Sequence, residues 1–128
     1  MTGAVAHVYV TPHDELIVAI DGEVDVSNVA AVTEQLAEAT DTRRSRCFID
    51  LSMTRYMDSS GIRMLFTLAP RLAARRTQMQ LIAPASGMVR RLLEITDVPR
   101  VIPVLPGIDA IPPAAGAEEH ARPEPDGA

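Results

Sequence analysis

Two hydroxyls and a glycine stand together at Asp58-Ser59-Ser60-Gly61, after the apolar run Cys47-Phe48-Ile49-Asp50-Leu51 and before the run Ile62-Arg63-Met64-Leu65-Phe66. The first run reads as a buried strand and the second as the opening of a helix, so Ser59 and Ser60 are expected to cap that helix. A helix start carries backbone N–H groups with no intrahelical partner, and it favours an anion. That junction is therefore a natural place for a phosphate, and function is to be sought at Ser59 and Ser60. The plainer reading makes Ser59 and Ser60 ordinary caps, with Asp58 complementing the helix dipole and Gly61 permitting close packing.

Several other chemistries lack their residues. The chain has no lysine, which removes the Gly-x-x-x-x-Gly-Lys phosphate loop, Schiff-base catalysis and a lysine general base. His7, His13 and His120 lie near the two ends and, with one cysteine, form no close-spaced metal set. Neither serine sits in Gly-x-Ser-x-Gly, because Met57 or Asp58 occupies the place of the first glycine. Neither an enzyme nor a cofactor or metal site is expected. Cys47 is alone, so no internal disulfide forms, and its apolar strand marks it as a core thiol.

The elements that must position the serines follow from periodicity. Ala4 to Val10 alternates as a strand, Thr11-Pro12-His13-Asp14 turns, and Leu16 to Ile20 gives a second strand, antiparallel to the first and ended by Asp21-Gly22. Asp25-Val26-Ser27-Asn28 offers caps for a helix from about Asn28 to Ala39, with Val29, Val32, Leu36 and Ala39 inward. Thr42 to Arg46 is a polar connection read as a solvated loop. The central strand Cys47 to Leu51 follows. After the serines, Ile62, Leu65, Phe66, Ala69 and Leu72 mark a helix reaching Arg75, with a kink or break expected at Pro70. Gln78 to Ala83 reads as a strand, Ser86 as the cap of a helix bearing Met88, Val89, Leu92, Leu93 and Ile95, and Val101 to Leu105 as a last strand. A hairpin followed by strand and helix in alternation implies an α/β fold, a mixed sheet of about five strands with helices packed on it.

At 128 residues the chain is long enough for one domain with its own aliphatic core. The domain is placed at residues 1–108, and the proline-, alanine- and acid-rich stretch 109–128 is expected to be disordered. That stretch carries Asp109, Glu118, Glu119, Glu124 and Asp126 against Arg122 alone. The preceding body, with 12 acids and 11 arginines, is nearly neutral. A neutral body offers no footprint for nucleic acid. The opening residues Met1 to Val10 read neither as a signal peptide nor as a membrane span, so a cytoplasmic protein without direct membrane insertion is expected.

Phe48-Ile49-Asp50-Leu51-Ser52 followed by Tyr56-Met57-Asp58-Ser59-Ser60-Gly61-Ile62 and Leu65 resembles the STAS domains of bacterial anti-sigma factor antagonists, the anti-anti-sigma factors. Gly22-Glu23-Val24-Asp25 is similar to the family's first loop, and Val89-Arg90-Arg91-Leu92-Leu93-Glu94-Ile95-Thr96 to its third-helix segment. The resemblance covers about Ala4 to Leu105 and implies a STAS fold.

It also implies a partner switch. The unmodified domain would bind an anti-sigma factor, itself a serine kinase with a histidine-kinase-like ATPase fold, and so free a sigma factor; a serine phosphatase would reverse the modification. The implied acceptor is Ser60, before the glycine, rather than Ser59. Asp25, Asp58, Ser59, Gly61 and Ile62 take the partner-binding positions. A phosphate adds roughly −1.5 to −2 charges, and each acid about 6 Å away would repel it by roughly 3 kcal/mol per unit charge at an effective dielectric near 20, before screening. A different class of function uses the same fold without phosphorylation, as an accessory subunit of a membrane lipid transporter or of a signalling scaffold. The chain departs from the family in Pro70, in the acidic stretch, and in the prolines after Leu105, which leave little room for a closing helix.

Overall fold

A computed structural model of the chain describes residues 3–113. Strands β1 (Ala4–Val10) and β2 (Leu16–Val24) form the expected hairpin, in antiparallel register from Ala4 opposite Gly22 to Val10 opposite Leu16. Helix α1 (Val29–Ala39), strand β3 (Arg46–Asp50), strand β4 (Thr54–Met57), helix α2 (Ser59–Ala74), strand β5 (Gln78–Ile82), helix α3 (Met88–Ile95) and strand β6 (Val104–Leu105) follow. The sheet runs β1-β2-β3-β5-β6, and every pair after the hairpin is parallel. It is a six-stranded mixed sheet, because β4, absent from the sequence reading, pairs in parallel with the second half of β2, from Gly22 opposite Thr54 to Val24 opposite Met57.

Asp21-Gly22 does not end β2. The strand passes through an irregularity at Gly22 and Glu23 and continues to Val24. Gly22 holds φ 133°, and a Cβ there would lie 2.1 Å from the Gly3 carbonyl oxygen, so glycine alone suits the position. Beyond this irregularity Val24 pairs with Met57, so Asp25 leaves β2 at the end of the sheet where β4 also finishes.

Leu16, Val18 and Ile20 of β2, Cys47 and Ile49 of β3, Val32 and Leu36 of α1, Ile62, Leu65, Leu68 and Leu72 of α2, and Val89 and Leu93 of α3 form one buried cluster. Val29 and Ala39, read as core-facing, pack half-buried against it. The opposite face of β2 and β3 sends Ile17 and Phe48 to a smaller cluster with Ile82, against which Leu105 and Ile111 pack. Arg46 lies over the Phe48 ring, 5.3 Å from its centroid, and donates to Glu15 at 2.8 Å in an ion pair with little exposure.

Three boundaries differ from expectation for identifiable reasons. Helix α2 passes unbroken through Pro70 to Ala74. An internal proline costs about 3 kcal/mol, but Leu65, Leu68 and Leu72 are buried along the same helix, and each such side chain contributes roughly 1.5–3 kcal/mol. Ser86 is not the cap of α3; Gly87 holds that place at φ 110°. The last strand is only Val104–Leu105, since Val98–Arg100 winds into a 3-10 turn around Pro99 and buries Val98 and Ile102. At the boundary placed at residue 108, Ile108–Ala110 makes a 3-10 turn, and Arg46 Nη1 donates to the Pro112 carbonyl at 2.5 Å. Residues 114–128 of the expected disordered stretch lie outside the described residues.

Candidate functional site

Strands β2 and β4 end side by side, and the chain turns into a helix after each. The Asp58 N–H donates to the Val24 carbonyl at 3.2 Å, which carries the pairing of these strands one residue past β4. Asp58, and not either serine, is the N-cap of α2: its Oδ1 accepts the Ser60 N–H at 2.9 Å. The same oxygen accepts the Ser60 hydroxyl at 2.5 Å. The Gly61 and Ile62 N–H groups reach the Asp58 carbonyl at 3.0 and 3.3 Å. Ser59 and Ser60 are thus the first two residues of the helix, Ser59 exposed and Ser60 half-buried. The expectation that the serines cap the helix is corrected, because a carboxylate one residue earlier reaches the unpaired N–H with an extended backbone, φ −110° and ψ −169°.

The Ser60 hydroxyl bond, assisted by the Ser60 and Gly61 N–H groups, holds the Asp58 carboxyl below the ordinary carboxylate value; partial burial and the charge of Asp25 pull the other way. Asp58 is therefore ionised near neutral pH. Asp25 lies near enough to act on Asp58 through its charge.

The loop before α1 repeats the local arrangement. Asp25 Oδ1 accepts the Ser27 N–H at 2.9 Å and the Ser27 hydroxyl at 2.5 Å. Asn28 ties the loop down by accepting the Asp25 N–H at 3.0 Å and donating to the Glu23 carbonyl at 2.7 Å. Its amide is engaged in the loop and does not cap α1, contrary to the role expected for this stretch.

Gly61 and Ile62 are buried, so neither offers a side chain to a partner; they set the approach of the helix. A Cβ at Gly61 would lie 2.4 Å from Met57 Cγ, and Met57 is itself buried. The outward groups are Ser59, Arg63, Val26 and Tyr56, the last two being large apolar side chains left exposed beside Asp25 and Asp58 in sequence. Arg90 was missed by sequence reasoning. Its guanidinium donates to the Ala83 carbonyl at 2.7 Å and the Pro84 carbonyl at 3.3 Å, and so closes the end of β5. An arginine early in a helix that follows a proline-bearing loop is a weak signal of such a clasp.

A hairpin-led mixed sheet, with helices on one face and a serine pair opening the second helix, defines a class of small α/β domain. The sequence model of the STAS domain matches residues 6–111, and the chain belongs to the STAS domain family. No match is found among curated proteins. Among solved structures, the chain is similar to an anti-sigma factor antagonist from Mycobacterium paratuberculosis, with 20% identity and a TM-score of 0.75 over 84% of this chain and 89% of that one. It is also similar to the anti-sigma factor antagonist SpoIIAA in its unphosphorylated form, with 17% identity and a TM-score of 0.64 over 83% and 92% of the two chains. The Bacillus cell fate determinant SpoIIAA in its phosphorylated form gives 15% identity and a TM-score of 0.56 over 92% and 100%. Among the described residues no helix is long and apolar enough to cross a membrane.

Proposed function

We propose that the chain is an anti-anti-sigma factor whose binding to an anti-sigma factor is switched off by phosphorylation of Ser60. The observation that carries this reading is the Ser60 hydroxyl at the second position of α2, bonded to the ionised Asp58 with Asp25 close enough to act on it. The solved antagonist structures, one of them of a phosphorylated form, support the reading by likeness of fold.

The physical mechanism is local. A phosphate on Ser60 adds roughly −1.5 to −2 charges at neutral pH. The helix start stabilises a nearby anion by about 0.3–1 kcal/mol, so α2 itself survives. A partner built against the neutral hydroxyl instead meets a dianion reinforced by Asp25 and Asp58. Since about 1.4 kcal/mol is tenfold in affinity, a small part of that repulsion releases it. Val26 and Tyr56 supply exposed apolar area for the partner, and Ser59 lies beside the acceptor. The partner is a serine kinase of histidine-kinase-like ATPase fold, a serine phosphatase restores the bound state, and the exchange takes place in the cytoplasm.

The test is affinity capture from native-cell lysate with wild-type and Ser60→Asp baits in parallel. Retention of an anti-sigma kinase by wild type and its loss with Ser60→Asp supports the switch. Equal capture of membrane lipid transporter or scaffold subunits by both baits replaces it with a constitutive accessory role.

A further inference from the structure

The end of the sheet opposite Ser60 is unusually rich in arginine. The strands β2, β3 and β5 all begin there, and the turns leading into them bring together Arg43, Arg75 and Arg76 around a groove of about 630 Å³ lined also by Asp41, Thr42 and Ser45. Arg75 pairs with Asp41 at 3.2 Å. Arg43 and Arg76 have no ion-pair partner among the described residues, and both are exposed. Arg76 moreover holds φ 64°, a conformation that glycine or asparagine adopts more cheaply. Helix α2 is closed by the N–H groups of Arg75, Arg76 and Thr77 whatever side chain follows, so the turn alone does not account for arginine there.

The chain leaves the described residues at the same end. Pro112 is gripped by Arg46, three positions after Arg43, and Pro113 lines a neighbouring groove with Arg46. The sequence that follows carries Glu118, Glu119, Glu124 and Asp126 against Arg122 alone. Glu118 is five residues beyond Pro113, and five residues of extended chain span about 17 Å. Arg43, three residues before Arg46, is at most about 11 Å of extended chain from it. Length, exit point and charge therefore agree on one occupant.

We propose that the acidic segment 114–128 docks on this arginine groove within its own chain, its carboxylates meeting the guanidiniums of Arg43 and Arg76. Docking holds that negative charge at the end of the domain away from Asp25, Asp58 and Ser60, where it adds nothing to the repulsion felt by a partner. The contact is between exposed charges, so it weakens with salt.

The absence of lysine makes the proposal directly testable. In the full chain carrying Arg76→Lys, the introduced amine and the chain's amino terminus are the only amines, and a carbodiimide joins an amine to a touching carboxylate as an amide. Amides from position 76 to Glu118, Glu119, Glu124 or Asp126 in monomeric protein, falling roughly tenfold between about 20 mM and about 0.5 M NaCl, are the expected result. Asp41, already in the groove, serves as internal control. Amides to Asp41 alone, from both Arg76→Lys and a parallel Arg43→Lys chain, overturn the proposal. Amides found only in cross-linked dimers overturn it in favour of a second copy's segment.

Discussion

One carboxylate oxygen, Oδ1 of Asp58, receives both the N–H and the hydroxyl of Ser60, at 2.9 and 2.5 Å. The group that caps α2 is thereby the group that fixes the candidate phosphoacceptor. Any modification of the Ser60 hydroxyl must remove one of these bonds and set a second anion beside the first, so the start of α2 registers the event directly.

Replacing Asp58 by alanine is expected to destabilise the fold by about 1 kcal/mol, through loss of the cap, which thermal unfolding would register as a fall in Tm of about 3–5 °C. Asparagine caps nearly as well, so Asp58→Asn isolates the charge. The Asp58 carboxyl titrates below its ordinary value of 3.8 in the folded protein. Its contribution is therefore complete above that value and disappears as pH falls through the lower, folded-state value. The difference between wild type and Asp58→Asn should be constant near neutral pH and vanish at the acid end; a difference that grows on acidification contradicts the assignment.

Gly61→Ala places a Cβ against the buried Met57 side chain. Overpacking of this kind costs about 1–3 kcal/mol. Chemical denaturation should show a lowered midpoint with an unchanged slope, and amide shifts should be concentrated at Met57 to Leu65.

Arg46 and Glu15 are a nearly buried pair, so removing one partner strands the other. Arg46→Met or Glu15→Gln alone should cost about 2–4 kcal/mol, while the double variant should cost less than the sum. A double-mutant cycle by urea unfolding measures the coupling. Additive losses mean that the pair does not act as one unit.

Burial pushes the Cys47 thiol up to about 12 from 9.0. A thiol reagent should therefore label Cys47 only as fast as the protein unfolds. Because the folded-state value is the higher one, this group leaves stability unchanged below about pH 9 and lowers it as pH rises from there toward 12. Prompt labelling of folded protein at neutral pH runs against a buried thiol.

Much of this architecture is legible in the residues. The aliphatic periods of α1 and α2, and the runs Leu16–Ile20 and Cys47–Asp50, report burial on strongly patterned elements, and they lie where periodicity places them. Strand β4 escapes because Thr54-Arg55-Tyr56-Met57 buries only its ends, and four residues with two exposed in the middle match neither period. Gly22 misleads as a breaker because a glycine at an irregular point in a strand and a glycine ending a strand look alike until the opposing backbone is known. At the candidate site, the serines and the two acids are found by residue type, whereas the choice of Asp58 as cap depends on a one-residue difference in where the helix begins.

The shape of β2 has a consequence for genetics. Its first half is bonded to β1 and β3 and its second half to β1 and β4, with Gly22 at the change of partner. A side chain at Gly22 would strike the Gly3 carbonyl and displace the stretch that presents Asp25. Alleles that weaken binding of the proposed partner should therefore map to Gly22 although it lies outside the serine pair, and second-site suppressors of the Gly22 alleles should fall in the opening residues Gly3 and Ala4.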